Sequence, residues 1–323
     1  MRSFLALLLV VSSGALSQGI EWLPVGAPIN DPWPGANPPQ TSIGTVFYSY
    51  EIAKYETTNA QYADMLNAVA ATDANGLWSS NMEFSAIGGI ERLGTPGSYT
   101  YSVKLGFENM PVIYVSFYDA IRFANWHHNG KPIGAQDNST TEDGAYTITV
   151  DGINNNTIVR NSSALYALPT RDEWAKAGYY DTDNGIWYLY PAQSQSPMTL
   201  SVPALDTGNN GNCNAGASVL YDVGSYVLSE SPNGTFDQGG NLAEWTETIG
   251  PSARKWVGSS FGGSCNGTII NSAVNLHPLN EVINGGFRLV QPGAPPTNVP
   301  IPTWALIALG VLITCGTSIR ARR

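Results

Sequence analysis

This chain is short of charge. Only 12% of its 323 residues are Asp, Glu, Lys or Arg, about half the usual share. Its surface must therefore be covered mainly by Asn, Gln, Ser, Thr, Tyr and Gly. Basic residues are the scarcer kind, 15 against 25 acidic ones, for a net charge of −10. That argues against nucleic acid as a partner, since such binding needs clustered Lys and Arg. Histidine is scarce as well: only His127, His128 and His277 are present, with no His-x-His. Adjacent His127 and His128 point to different faces of a helix and make a poor chelate. No internal repeat is visible. The Gly-rich stretch GTFDQGGNL lacks the Lys-Ser/Thr ending of a phosphate loop. Of three cysteines, Cys315 sits in a C-terminal apolar run. That leaves Cys213 and Cys265, and sequence alone does not say whether they meet.

Other features are plentiful. The chain is 43% hydrophobic and 11% aromatic, enough for a real core and against global disorder. Residues 1–18, MRSFLALLLVVSSGALSQ, combine Arg2, a short apolar run, and Ala15 and Ser17 at a small-residue cleavage site. This is the pattern of a secretory signal peptide, and an exported domain is permissive for disulfides. Residues 292–302 form a Pro-rich linker. Residues 303–323 form an apolar helix without charge from Trp304 to Ile319, closed by Arg320, Arg322 and Arg323. That run is a marginal membrane span, with its basic end expected on the cytoplasmic side. The tail, with IPTWALI, resembles the PEP-CTERM type of bacterial sorting signal in its Ile-Pro-Thr variant. The resemblance implies export, transient anchoring at the cell surface and a sorting or processing protease as partner.

Between the termini, TVFYSYEIAKYE (45–56) alternates as a strand does. In 57–72, Thr57 or Thr58 caps a helix that places Tyr62, Met65, Leu66 and Val69 on one face. MPVIYVSFYDAIRFANWHHNGK (110–131) reads as a short buried strand and then a helix, with Ser116 and Asp119 in a capping box. TEDGAYTITVDG (141–152) reads as a hairpin strand. Thr170-x-x-Glu173 is a second capping box. Residues 182–236 are loop-rich. One domain, 19–291, is the simplest organisation.

The blocks YETTNAQYADML, MPVIYVSFYDAIRFANW, ALPTRDEWAKAGYYD, SPNGTFDQGGNLAEWTE, VGSSF and GGFRLV occur in that order. Together they resemble the formylglycine-generating enzyme, or sulfatase-modifying factor, domain family. The resemblance implies a C-type-lectin-related α+β fold, loop-rich with little regular secondary structure. The physical content of the blocks is mainly structural. Trp126, Trp174 and Trp245 are expected to bury their rings and give each indole N–H a partner. Glu173 caps a helix. Arg288 is expected to bind an internal carboxylate or carbonyls.

The resemblance also implies a calcium site in FDQGGNLAEW. It would use a side-chain oxygen at Asp237, main-chain carbonyls at Gly240 and Leu242, and the Glu244 carboxylate. Calcium takes roughly six to eight hard oxygens, mixing carboxylates with carbonyls. A second calcium site cannot be placed in 206–222.

Oxidase members of the family turn a substrate cysteine into formylglycine with copper and oxygen. They use two cysteines, at the second and seventh positions after the aromatic of Arg-Gly-Gly-Ser-Trp. A single thiolate does not reproduce a two-thiolate Cu(I) site. Aligning VGSSF places those positions at Gly263 and Thr268; aligning FGGSC places them at Gly267 and Ser272. Neither yields a cysteine, so copper is not expected. The histidine set does not suit non-heme iron either. Cys265, off both catalytic positions, is expected to pair with Cys213, which requires Cα atoms within about 7 Å. The expectation is a secreted or cell-surface, non-catalytic binding module for a peptide, glycan or matrix component. The alternative is a metal-dependent oxidase or hydroxylase, of the formylglycine-generating or non-heme iron type, with unrecognised ligands.

Overall fold

The structure is a computed structural model that describes residues 19–27, 29–35, 43–213 and 219–293. The expected signal segment (1–18), most of the expected linker and the C-terminal apolar run lie outside them. Among the described residues no helix is long and apolar enough to cross a membrane.

The described residues include five α-helices: α1 (Asn59–Val69), α2 (Asn81–Phe84), α3 (Phe117–His128), α4 (Val150–Asn155) and α5 (Arg171–Tyr179). Three of them begin at reciprocal capping boxes. Thr58 and Gln61 close α1, Ser116 and Asp119 close α3, and Thr170 and Glu173 close α5. Each box satisfies two donors that a helix N-terminus otherwise leaves bare. The expected face of α1 is buried: Tyr62, Met65, Leu66 and Val69 pack in one cluster with Phe117, Ile121, Phe123, Trp245 and Phe287. At roughly 1.5–3 kcal/mol per large apolar side chain, this cluster is the main source of cohesion.

The strands are short. β1 (Trp22–Val25), β2 (Tyr50–Ala53) and β13 (Val290–Gln291) form an antiparallel sheet in the order β1-β2-β13, with Ile52 opposite both Leu23 and Val290. The two ends of the domain are thus tied to the same strand. The ribbons β3 (Ile90–Leu93) with β4 (Thr100–Val103), β5 (Tyr180–Asp181) with β6 (Ile186–Trp187), and β7 (Thr199–Leu200) with β8 (Asn210–Gly211) stand apart. A four-stranded sheet runs β11-β10-β9-β12. It comprises β9 (Ala243–Gly250), β10 (Ala253–Val257), β11 (Ala273–Leu276) and β12 (Gly285–Gly286), with β12 parallel to β9. The result is a single mixed α+β domain, rich in loops, consistent with a C-type-lectin-related fold.

Two expectations are corrected. Residues 141–152 are not a hairpin strand. Tyr146 makes one isolated bridge to Arg160, and α4 begins at Val150. The buried Asn125 side chain takes the backbone groups a partner strand would need: it donates to the Thr141 (2.7 Å) and Tyr146 (2.9 Å) carbonyls and accepts the Tyr146 N–H (2.7 Å). The 110–116 stretch is buried but not a strand beyond one bridge from Pro111 to Thr58. Its N–H groups go to scattered carbonyls, Val112 to Thr57 and Tyr114 to Val282. Tyr114 itself sits at φ 60°, where an extended chain cannot continue.

Candidate functional site

The segment 237–244 is a knot of left-handed backbone, with φ of 60° at Asp237, 104° at Gly240 and 53° at Asn241. Gly240 is required here, because a β-carbon would stand 2.8 Å from the Asn212 carbonyl oxygen. The loop is pinned on both sides. Gly240 N–H donates to Ser259 (3.2 Å), Asn241 N–H to Asn212 (2.9 Å), and Phe261 N–H to Asn241 (2.9 Å). β9 leaves this knot and carries Glu244 straight into the core.

Glu244 meets Arg288 there in a two-pronged ion pair, Nε to Oε2 and Nη2 to Oε1, both 2.8 Å. The Trp174 indole N–H adds a third bond to Oε2 at 3.1 Å. Arg288 spends its remaining donors on the carbonyls of Ala53, Lys54 and Phe236. Trp126 and Trp245 also find carbonyl partners, Pro132 and Val115.

Two further acids face this centre. Glu56, from the first sequence block, accepts the Leu242 N–H on Oε1 and the Asn241 amide on Oε2, both at 3.0 Å. Burial pushes its carboxyl well above the usual range; Asp237 and Glu244 push it further, and Arg288 opposes them. Asp237 accepts the Gly224 N–H at 2.7 Å. Burial raises it from 3.8 to about 6, against the pull of that hydrogen bond and of Arg288.

Asp237, Gly240, Leu242 and Glu244 thus lie on one turn, but Glu244 faces a guanidinium. A calcium ion would compete with Arg288 and Trp174 for both its oxygens, and Asp237 is already bonded to Gly224. Among the described residues no group of three His, Cys, Asp or Glu side chains is placed to hold a metal. As arranged, this donor set does not fit calcium, and nothing below runs through a metal.

The loop after β10 holds Gly263, Gly267 and Thr268, three of the four positions where the resemblance would place thiols. At Gly263 a β-carbon would stand 2.4 Å from the Ser259 hydroxyl, which donates to the Ser264 carbonyl at 2.9 Å. Thr268 is fully buried and accepts the Tyr179 hydroxyl on its carbonyl at 2.7 Å. Cys265 is bonded to Cys213, with Cα atoms 5.0 Å apart. That bridge ties this loop to the segment preceding residue 214. The histidines are scattered. His127 is packed between Phe123, Trp126 and Tyr166, and burial, helped by Lys131, pushes it down to about 3. His128 accepts the Leu165 N–H and His277 the Leu279 N–H.

Sequence reasoning missed several charges that the fold takes in, among them Glu56 and Arg254, both buried, and Arg160, largely covered. Glu56 stands in the first family block but carries no spacing signal. Arg160 bridges Glu173 (2.8 Å) and Glu247 (3.0 Å). Arg254 binds Asn156 and the carbonyls of Glu247 and Ile158.

Next to Glu56 opens a cavity of about 300 Å³, between the end of β2, the start of α1, Asn109 and Asp222–Val223.

Residues 6–292 match the sulfatase-modifying factor enzyme 1-like domain. Among solved structures the chain is similar to that of CarF, with 19% identity and a TM-score of 0.54, covering 85% of this chain and 98% of that one. It is also similar to Treponema denticola variable protein 1, with 19% identity and a TM-score of 0.53, covering 84% and 95% respectively. At these identities the likeness concerns the fold. No curated protein matches the chain.

Proposed function

This chain belongs to the sulfatase-modifying factor enzyme 1-like family, and on that premise we propose that it is a non-catalytic member: an exported binding module for a peptide, glycan or matrix component. The signal-like start and the sorting-like tail support delivery to the cell surface, with a processing protease acting on the tail.

One observation carries the reading. The loop that would hold two catalytic thiols has Gly263 and Thr268, or in the other alignment Gly267 and Ser272, at those positions, and its one cysteine, Cys265, is consumed in a bond to Cys213. A thiol in a disulfide is neither a nucleophile nor a soft metal ligand. What remains is a scaffold whose surface is poor in charge and rich in Asn and Ser, the composition of an adaptable contact face.

The test is direct. The purified protein, supplied with copper and oxygen, should leave a cysteine-containing sulfatase peptide unchanged. It should also carry no stoichiometric copper or iron by elemental analysis. Formylglycine in the peptide, or one equivalent of either metal, would overturn the reading in favour of the oxidase alternative. Glycan arrays and peptide pull-downs that stay blank would remove the binding role.

A further inference from the structure

The four-stranded sheet ends in an open edge. β11 stands last in the order β11-β10-β9-β12 and pairs with β10 alone. Alternate residues of such a strand turn their N–H and C=O groups outward. Among the described residues, no N–H or C=O of Ala273–Leu276 finds a hydrogen-bond partner beyond β10. Natural edges are commonly guarded by charge or proline. β11 reads Ala-Val-Asn-Leu, with Val274 54% exposed and Asn275 exposed beside it.

One face of this edge is basic. Val257 and Ala273 pack in one cluster with Trp174 of α5, and side chains alternate along a strand. Lys255 and, opposite it, Asn275 therefore share the α5 face. Both reach over Gly250, where a β-carbon would collide with Asn275 Oδ1 and stand 3.5 Å from Lys255 Cε. Arg171 arrives on the same face from α5. Its N–H donates to the Thr248 hydroxyl on β9 (2.8 Å), and its Nη2 donates to the Asn271 carbonyl (2.9 Å), two residues before β11. The side chain thus runs across the sheet to its edge.

Neither cation holds a carboxylate. Lys54, Arg92, Arg122, Arg160 and Arg288 are each paired with an acid, whereas among the described residues none lies within ion-pair distance of Arg171 or Lys255. Arg171 Nε is buried without a hydrogen-bond partner. The neighbouring acid, Asp172, gives its Oδ1 to the Gly44 N–H at 2.9 Å. On β9, Glu244 is held by Arg288 and Glu247 by Arg160. This face therefore carries two cations whose counter-charge has to come from outside.

We propose that the free edge of β11 is the docking site for an extended, acid-bearing segment of a partner protein. The segment adds to β11 as a further strand through main-chain hydrogen bonds, while alternate side chains supply the selectivity. Those on the α5 face bring a carboxylate to Lys255 and Arg171. A second copy of this chain is the poorer occupant, because residues 271–276 offer no acidic side chain. The proposal deepens the peptide-binding reading and rests on it.

The experiment is calorimetric titration of the protein with three capped peptides, Thr-Glu-Val-Glu-Val-Glu-Thr and its forms with Gln or Lys for Glu, at low and high salt. The Glu peptide should bind at least about tenfold more tightly than the other two and lose affinity as salt screens the charges. Once bound, it should slow amide hydrogen exchange within 273–276 by about tenfold or more. Arg171→Gln/Lys255→Gln should erase the preference for Glu. If that variant does not fold, Asn275→Glu, a change at an exposed position, decides: it should weaken the Glu peptide by about tenfold. Equal binding of the Glu and Gln peptides, no binding of any, unchanged exchange at 273–276, or an unaltered Asn275→Glu variant would overturn the docking edge. Dimerisation that protects 273–276 would give the edge to a second copy and overturn it as well. Should the edge fail while arrays or pull-downs still find a ligand, the binding-module reading stands. Should oxidase activity appear, that reading falls by itself.

Discussion

Arg288 holds Glu244 through two 2.8 Å bonds in a site where both residues are completely buried. This pair joins the β9 end of the acidic loop to the last sequence block, and its other donors reach back to the β2 end. Three segments far apart in the chain are thus fixed around one guanidinium.

Removing one partner should be costly. Glu244→Gln or Arg288→Met would strand a buried charge, a loss of about 3–5 kcal/mol. At roughly 2–4 °C per kcal/mol for a domain of this size, the melting temperature should fall by about 6–20 °C. The double variant Glu244→Gln/Arg288→Met should lose clearly less than the sum, as paired charges do in a double-mutant cycle. Additive losses in urea unfolding would refute a direct pairing.

Because the guanidinium sits where the family resemblance would put a calcium contact, chelation should be silent. Thermal melts in excess EGTA and in millimolar calcium should agree within about 1 °C. A calcium-dependent rise would show that the folded protein binds the ion, since a ligand that binds only the folded state raises its stability by mass action.

Asp237 should leave a pH signature of a definite sign. Its folded-state value, about 6, lies above its ordinary value of 3.8. The folded protein therefore binds this proton more tightly than the unfolded chain. The contribution is fully present below about pH 4 and is lost as pH rises through about 6. Asp237→Asn keeps an acceptor for Gly224 and removes the titration. Relative to the parent, the variant should gain roughly 1 kcal/mol or more between pH 4.5 and 7.5 in chemical unfolding. A difference that is flat with pH would count against burial of the charged form.

The Cys213–Cys265 bond closes a loop with a sequence separation of 52. Chain-entropy reasoning gives about 4 kcal/mol as its ceiling. Cys213→Ala/Cys265→Ala should lose about 2–4 kcal/mol in urea, and the parent should lose a similar amount on reduction. The cysteine-containing sulfatase peptide should remain unmodified under reducing conditions; turnover appearing on reduction would show Cys265 to be a masked nucleophile.

The local devices were legible in the sequence, because they are written over a few residues. Thr170-x-x-Glu173 and the Ser116–Asp119 pair are closed boxes, and the Tyr62–Met65–Leu66–Val69 face is buried. The six ordered blocks carried the fold. What failed was local reading where a distant side chain intervened, as at 141–152, where Asn125 takes the backbone bonds that a strand partner would have supplied. Buried charges were illegible for the same reason. Nothing near Glu56 or Arg254 in the chain says that it will be sealed inside, since desolvation is a property of the packed surroundings.

Sequence by itself determined that the loop around Gly263 lacks the two thiols of the family's oxidases, for residue identity does not depend on folding. Only the tertiary structure decided what occupies the neighbouring chemistry. Cys265 meets Cys213, Glu244 is given to Arg288, and Glu56 is sealed against Asn241 and the Leu242 N–H. Each is an encounter between segments far apart in the chain, which no local pattern encodes.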